Sequence, residues 1–63
     1  MAADAAELSS LTTTLAELER RIAAIAGRWE GTNHDDAVAA LYDAERTLRA
    51  ATRAVERASR LLR

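Results

Sequence analysis

Seven large apolar side chains open the chain at spacings that alternate strictly between three and four: Leu8, Leu11, Leu15, Leu18, Ile22, Ile25 and Trp29. A strand needs period two. This 3–4 alternation is the heptad signature of a helix that buries one stripe against another helix. With Leu8, Leu15, Ile22 and Trp29 at position a of the heptad, Leu11, Leu18 and Ile25 fall at d. A stripe of that kind is unstable alone, so the pattern calls for a partner helix.

The second half of the chain supplies one. Ala37, Leu41, Ala44, Leu48, Ala51, Val55, Ala58 and Leu62 repeat the alternation in a different alphabet, with alanine at every d and a large residue at every a. The segment between the two patterns is short and holds both glycines, Gly27 and Gly31. A short connection between two amphipathic helices makes an antiparallel αα-hairpin. The expected fold is therefore all-α: helix over about residues 4–30, a turn over about 31–33, and a second helix over about 34–63. Together they form one domain spanning 1–63. Pairing a against d about a pivot near Asn33 sets Trp29 on Ala37, Ile22 on Ala44, Leu15 on Ala51 and Leu8 on Ala58. Ile25 then meets Leu41, Leu18 meets Leu48, and Leu11 meets Val55.

Local signals fit this layout. Asp4 with Glu7 three residues later resembles a capping box at the start of the first helix. Gly31 suits the position after a helix end, where the backbone turns left-handed. Thr32 and Asn33 are candidate N-caps for the second helix, and Asp35 and Asp36 suit its positive N-terminal end. Trp29 continues the first stripe and is expected to close the turn end of the core over Ala37. Tyr42, at position b, is expected on a flank with its hydroxyl in water.

Composition narrows the function. At 63 residues with no cysteine and no proline, the chain has no disulfide staple and no thiolate metal site. Its basic residues are all arginine, a bias typical of GC-rich bacterial genomes. A net charge of −1 provides no field for nucleic acid or an anionic membrane. No apolar run approaches the roughly 20 residues that span a bilayer, and residues 1–10 lack a signal-peptide pattern. A cytoplasmic location is expected, with secretion without a cleaved signal as the alternative.

No catalytic constellation is present. His34, Asp35 and Asp36 are adjacent and cannot all address one ion from a helix start, so helix capping accounts for them better than metal binding. No Glu-x-x-His pair, phosphate loop or serine with a nearby base occurs. Neither an enzyme nor a cofactor protein is expected. One surface feature stands out: over residues 46–63, Arg46, Arg49, Arg53, Arg57, Arg60 and Arg63 lie on outward positions of the second helix against a single acid, Glu56. They read first as a solvated face with i,i+4 partners such as Glu45–Arg49. The alternative is a docking stripe for an acidic partner. Without interleaved aromatics the stripe does not suit single-stranded nucleic acid.

Trp29-Glu30-Gly31 is a W-x-G tripeptide between two helices. In that it resembles the WXG100 family of small helical hairpins, which specialised bacterial systems secrete as dimers. The resemblance rests on Trp29, Gly31 and the hairpin layout. It implies an exported effector or carrier. The family's export signal, a tyrosine with an acid four residues later, is not met at Tyr42, where Arg46 takes that place.

A two-helix hairpin leaves each helix half exposed. Small or apolar residues flank both stripes: Ala16, Ala23 and Ala26 on the first helix, Val38, Ala40, Ala54 and Leu61 on the second. Stripes this wide point to two hairpins packed face to face as a homodimeric four-helix bundle. The function expected of such a chain is that of a self-associating, non-enzymatic interaction or assembly module.

Overall fold

The computed structural model describes residues 2–62 and contains two helices, α1 (Ala2–Trp29) and α2 (Asp35–Leu61), packed antiparallel as a hairpin. The fold class therefore agrees with the heptad reading. Met1 and Arg63, at the ends of the expected domain and second helix, lie outside the described residues.

α1 begins at Ala2, so Asp4 sits inside its first turn instead of capping it. Acid in that turn still complements the helix dipole. The three consecutive threonines, weak helix formers, turn their hydroxyls back onto their own helix. Thr12 donates to the Leu8 carbonyl at 2.9 Å, Thr13 to Ser9 at 3.3 Å and Thr14 to Ser10 at 3.2 Å. The helix ends at Trp29, and Gly31 takes φ +74°, the left-handed conformation expected of it after a helix end. Thr32 reinforces the turn by donating its hydroxyl to the Trp29 carbonyl at 2.5 Å.

The start of α2 differs from expectation. Its N-cap is His34, with no side-chain capping bond, and the helix begins one residue late, at Asp35. Asn33 cannot cap because it is itself left-handed, with φ +67°, a conformation asparagine tolerates better than most residues. The first intrahelical bond runs from Val38 N–H to the His34 carbonyl at 3.0 Å. Asp36 accepts the Ala37 N–H at 2.8 Å.

The hairpin is long and thin, 49 Å in its longest dimension, with a radius of gyration of 14.7 Å. A compact domain of this length would have about 11 Å. Its accessible surface of 4621 Å² exceeds the roughly 3,950 Å² of a typical monomer of this mass. Ala26 is the one fully buried apolar residue among those described, and no large side chain is fully buried.

Candidate interaction surface

Burial along α1 does not follow the a/d stripe. The half-buried residues are Ala5, Leu8, Thr12, Leu15, Ala16, Glu19, Ile22 and Ala23, together with the buried Ala26. In heptad letters these are a, e and b. Position d lies on the other side of a and remains outside, with Leu11 45%, Leu18 37% and Ile25 37% exposed. α1 is thus turned about its axis relative to the expected seam. Three d-position layers, Leu11 on Val55, Leu18 on Leu48 and Ile25 on Leu41, are corrected accordingly.

The two ends of the expected seam are corrected as well. Trp29 is 46% exposed and does not close a core over Ala37, which is itself exposed. Its indole instead meets the His34 imidazole edge to face, with ring centroids 4.9 Å apart and planes at 88°. At the open end Leu62 is 59% exposed.

α2 keeps its expected face. Leu41, Leu48 and Val55 at a, Ala44, Ala51 and Ala58 at d, and Val38, Glu45, Thr52 and Ser59 at e are half-buried. The volumes explain the rotation. The large a residues of α2 need a shallow partner surface, and on α1 that surface is the e/b strip of Thr12, Ala16, Ala23 and Ala26, not the leucine-rich d row.

The polar contacts identify the two broad faces of the hairpin. On one face, Glu19 of α1 accepts a hydrogen bond from Thr52 of α2 at 3.1 Å and pairs with Arg49 at 3.4 Å. Arg49 also holds Glu45 at 3.0 Å. Nearer the turn, the Tyr42 hydroxyl donates to the Glu30 carboxylate. That bond, then partial burial, then the negative charges of Glu30 and Glu45 raise the Tyr42 pKa above its ordinary value of 10.0. Tyr42 is therefore on the flank as expected, with its hydroxyl bonded across the hairpin and not merely solvated. A shallow polar groove lined by Ser9, Thr12, Thr13, Glu56, Ser59 and Arg60 completes this face.

Because Glu19, Glu30, Tyr42, Arg49 and Thr52 occupy b and e, the opposite face is formed by a/d of α1 and d/g of α2. It carries Leu11, Leu18, Ile25 and Trp29 from α1 beside Ala37, Ala40, Thr47, Ala54 and Leu61 from α2, all exposed. One broad side of the molecule is thus apolar and uncovered. The other carries the cross-helix polar contacts.

Apart from Arg57, which borders it at c, the arginine stripe lies away from the apolar face. Arg46 pairs with Asp43 at 2.7 Å and Arg49 with Glu45, while Arg53, Arg57 and Arg60 are exposed and Arg63 lies outside the described residues. No group of three or more His, Cys, Asp or Glu among the described residues could hold a metal ion. No helix among them is long and apolar enough to cross a membrane.

No family model, curated protein or solved structure matches the chain.

Sequence reasoning missed the polar members of the interhelix contact, Thr12, Glu19, Glu45 and Thr52. One signal was available. Thr12, Glu19 and Ala26 recur every seven residues beside Ala16 and Ala23, which marks a second strip on α1, narrower in side chain than the leucine row.

Proposed function

We propose that the chain is a self-associating helical-hairpin module that works by protein–protein contact and carries no catalytic role. One observation carries the reading. The hairpin leaves an unbroken apolar row, Leu11, Leu18, Ile25 and Trp29, between 37% and 46% exposed, while among the described residues nothing larger than Ala26 is fully buried. Contiguous exposed apolar surface on a small protein marks a contact site. Covering it also supplies the burial that a thin hairpin lacks. Sedimentation equilibrium at micromolar concentration should give a dimer. Thermal melts over a hundred-fold concentration range should shift upward, because dilution favours the unfolded monomer of an obligate dimer. A monomeric mass with a concentration-independent melt defeats the proposal.

Two features support further roles that are compatible with self-association. The exposed Arg53 and Arg60 lie off the apolar face and would remain available to an acidic partner in a dimer. Pull-down from lysate that is lost at high salt and on reversal of these charges tests that adaptor role. Trp29 stands half exposed two residues before the left-handed Gly31, the placement that a WXG100-like carrier would share. Detection of the chain in culture supernatant tests export, and strict retention in the cells refutes it.

A further inference from the structure

We propose that a second copy of this chain covers the apolar face about a two-fold axis parallel to the hairpin, so that α1 of each copy lies on α2 of the other. The inference rests on the self-association proposed above and adds the identity and orientation of the occupant.

Size matching favours this arrangement. The apolar face is lopsided: α1 contributes Leu11, Leu18, Ile25 and Trp29, whereas α2 contributes Ala37, Ala40, Thr47 and Ala54, with Leu61 at the open end its one large side chain. Two hairpins can stack face to face about two kinds of two-fold axis. An axis across the helices lays α1 on α1 and α2 on α2, large against large and small against small. One helix pair is then held apart while the other is left with a gap. An axis along the hairpin lays the leucine row of each copy on the small row of the other, and both contacts close to the same spacing. Close packing in interiors leaves no room for the first mismatch.

Charge supports a second copy as the occupant. The row of α1 just outside the apolar face runs Glu7, Thr14, Arg21, Arg28, acidic near the open end and basic towards the turn. The corresponding row of α2 runs Asp36, Asp43, Ala50, Arg57, acidic near the turn and basic towards the open end. An axis along the hairpin keeps turn beside turn. The basic part of each α1 then lies along the acidic part of the partner's α2, on both edges of the dimer. An axis across the helices would also set acid against base along these rows, so the charges select a second copy as partner and the size matching selects the axis.

The area such a contact needs is a modest share of the surface. A standard specific interface takes about 800 Å² from each partner, roughly a sixth of the 4621 Å² this chain exposes. The face runs the length of two helices of 28 and 27 residues.

The chain has no cysteine, so a single spin label can be placed at Asp35→Cys, an exposed site beside the turn. With the axis along the hairpin, the two labels of a dimer share one end and should lie within roughly 30 Å, a bundle width plus two label arms. With the axis across the helices they occupy opposite ends, about 40 Å or more apart given the rise of helices this long. Electron-spin distance measurement separates the two cases, and a long-distance population alone overturns the orientation. In parallel, Ala54→Leu should weaken dimerisation at least tenfold, while Ala39→Leu on the outward side should leave it within twofold. Equal affinities for the two variants would remove the small-row contact from the proposal. A chain that stays monomeric at every concentration refutes self-association itself. A dimer with distant labels refutes only the arrangement.

Discussion

Trp29 and Tyr42 flank the turn, and each reports on a different interaction there. The Tyr42 hydroxyl can donate to Glu30 only while protonated, and its pKa is raised by that bond. A group whose folded pKa is raised contributes fully below its unfolded value and loses the contribution as pH rises through the folded value. The clip is therefore intact below about pH 10 and opens above it. Glu30→Gln should bring the tyrosinate absorbance midpoint back down towards 10, and identical midpoints in parent and variant would exclude the bond. Trp29, the only tryptophan, is half exposed against His34. Truncating a fully buried aromatic costs about 3–5 kcal/mol. At half exposure Trp29→Ala should cost the isolated hairpin about half as much. If the apolar face is covered in a dimer, tryptophan emission should shift to the blue as protein concentration rises, and emission that ignores concentration would leave Trp29 outside the contact.

At the scale of the helices, small side chains set how closely the two axes approach. Ala51 is half-buried at d of α2, whereas Ala39 is exposed at the outward f position. Ala51→Leu forces extra volume between the helices and should lower stability by about 1–3 kcal/mol. Ala39→Leu should change it by less than about 0.5 kcal/mol, as expected of an exposed substitution. Chemical denaturation of both variants checks the register of α2, and equal tolerance would mean that its face is misplaced. The face of α1 was harder to read in the sequence. Its leucine row has the stronger heptad signal, yet the row beside it, with Thr12, Glu19 and Ala26, meets α2. Hydrophobic periodicity records which side chains avoid water. It does not record which partner they avoid it against.

For the molecule as a whole, the consequence is two unlike faces. Glu19, Arg49 and Thr52 tie the helices together on one side, with Glu45 pairing Arg49 within α2, and partial exposure keeps each ion pair weak. The arginines further round α2 should matter still less to the fold. Reversing Arg53 and Arg60 to glutamate is expected to alter stability by less than about 1 kcal/mol and to leave the dimer mass unchanged, since both residues lie off the apolar face. Circular dichroism melts and sedimentation of the double variant check this. A large loss of stability would place these arginines within a contact.

Several features were settled by the chain itself. The 3–4 spacing in both halves requires two amphipathic helices, Gly31 places the left-handed turn, and the short connection makes the helices antiparallel. Each of these depends on local backbone preference or on side chains within a few residues of one another. The rotation of α1 about its own axis depends on something else, the fit of Leu41, Leu48 and Val55 against the shallow strip of Ala16, Ala23 and Ala26 across the hairpin. α1 has large apolar residues at a and d and, beside them at e and b, a shallower strip of alanines and threonine interrupted by Glu19 and Glu30, so it offers two neighbouring surfaces to a partner helix. Only the volumes brought opposite it in three dimensions decide which one is buried, and the leucine row left over becomes the outer face.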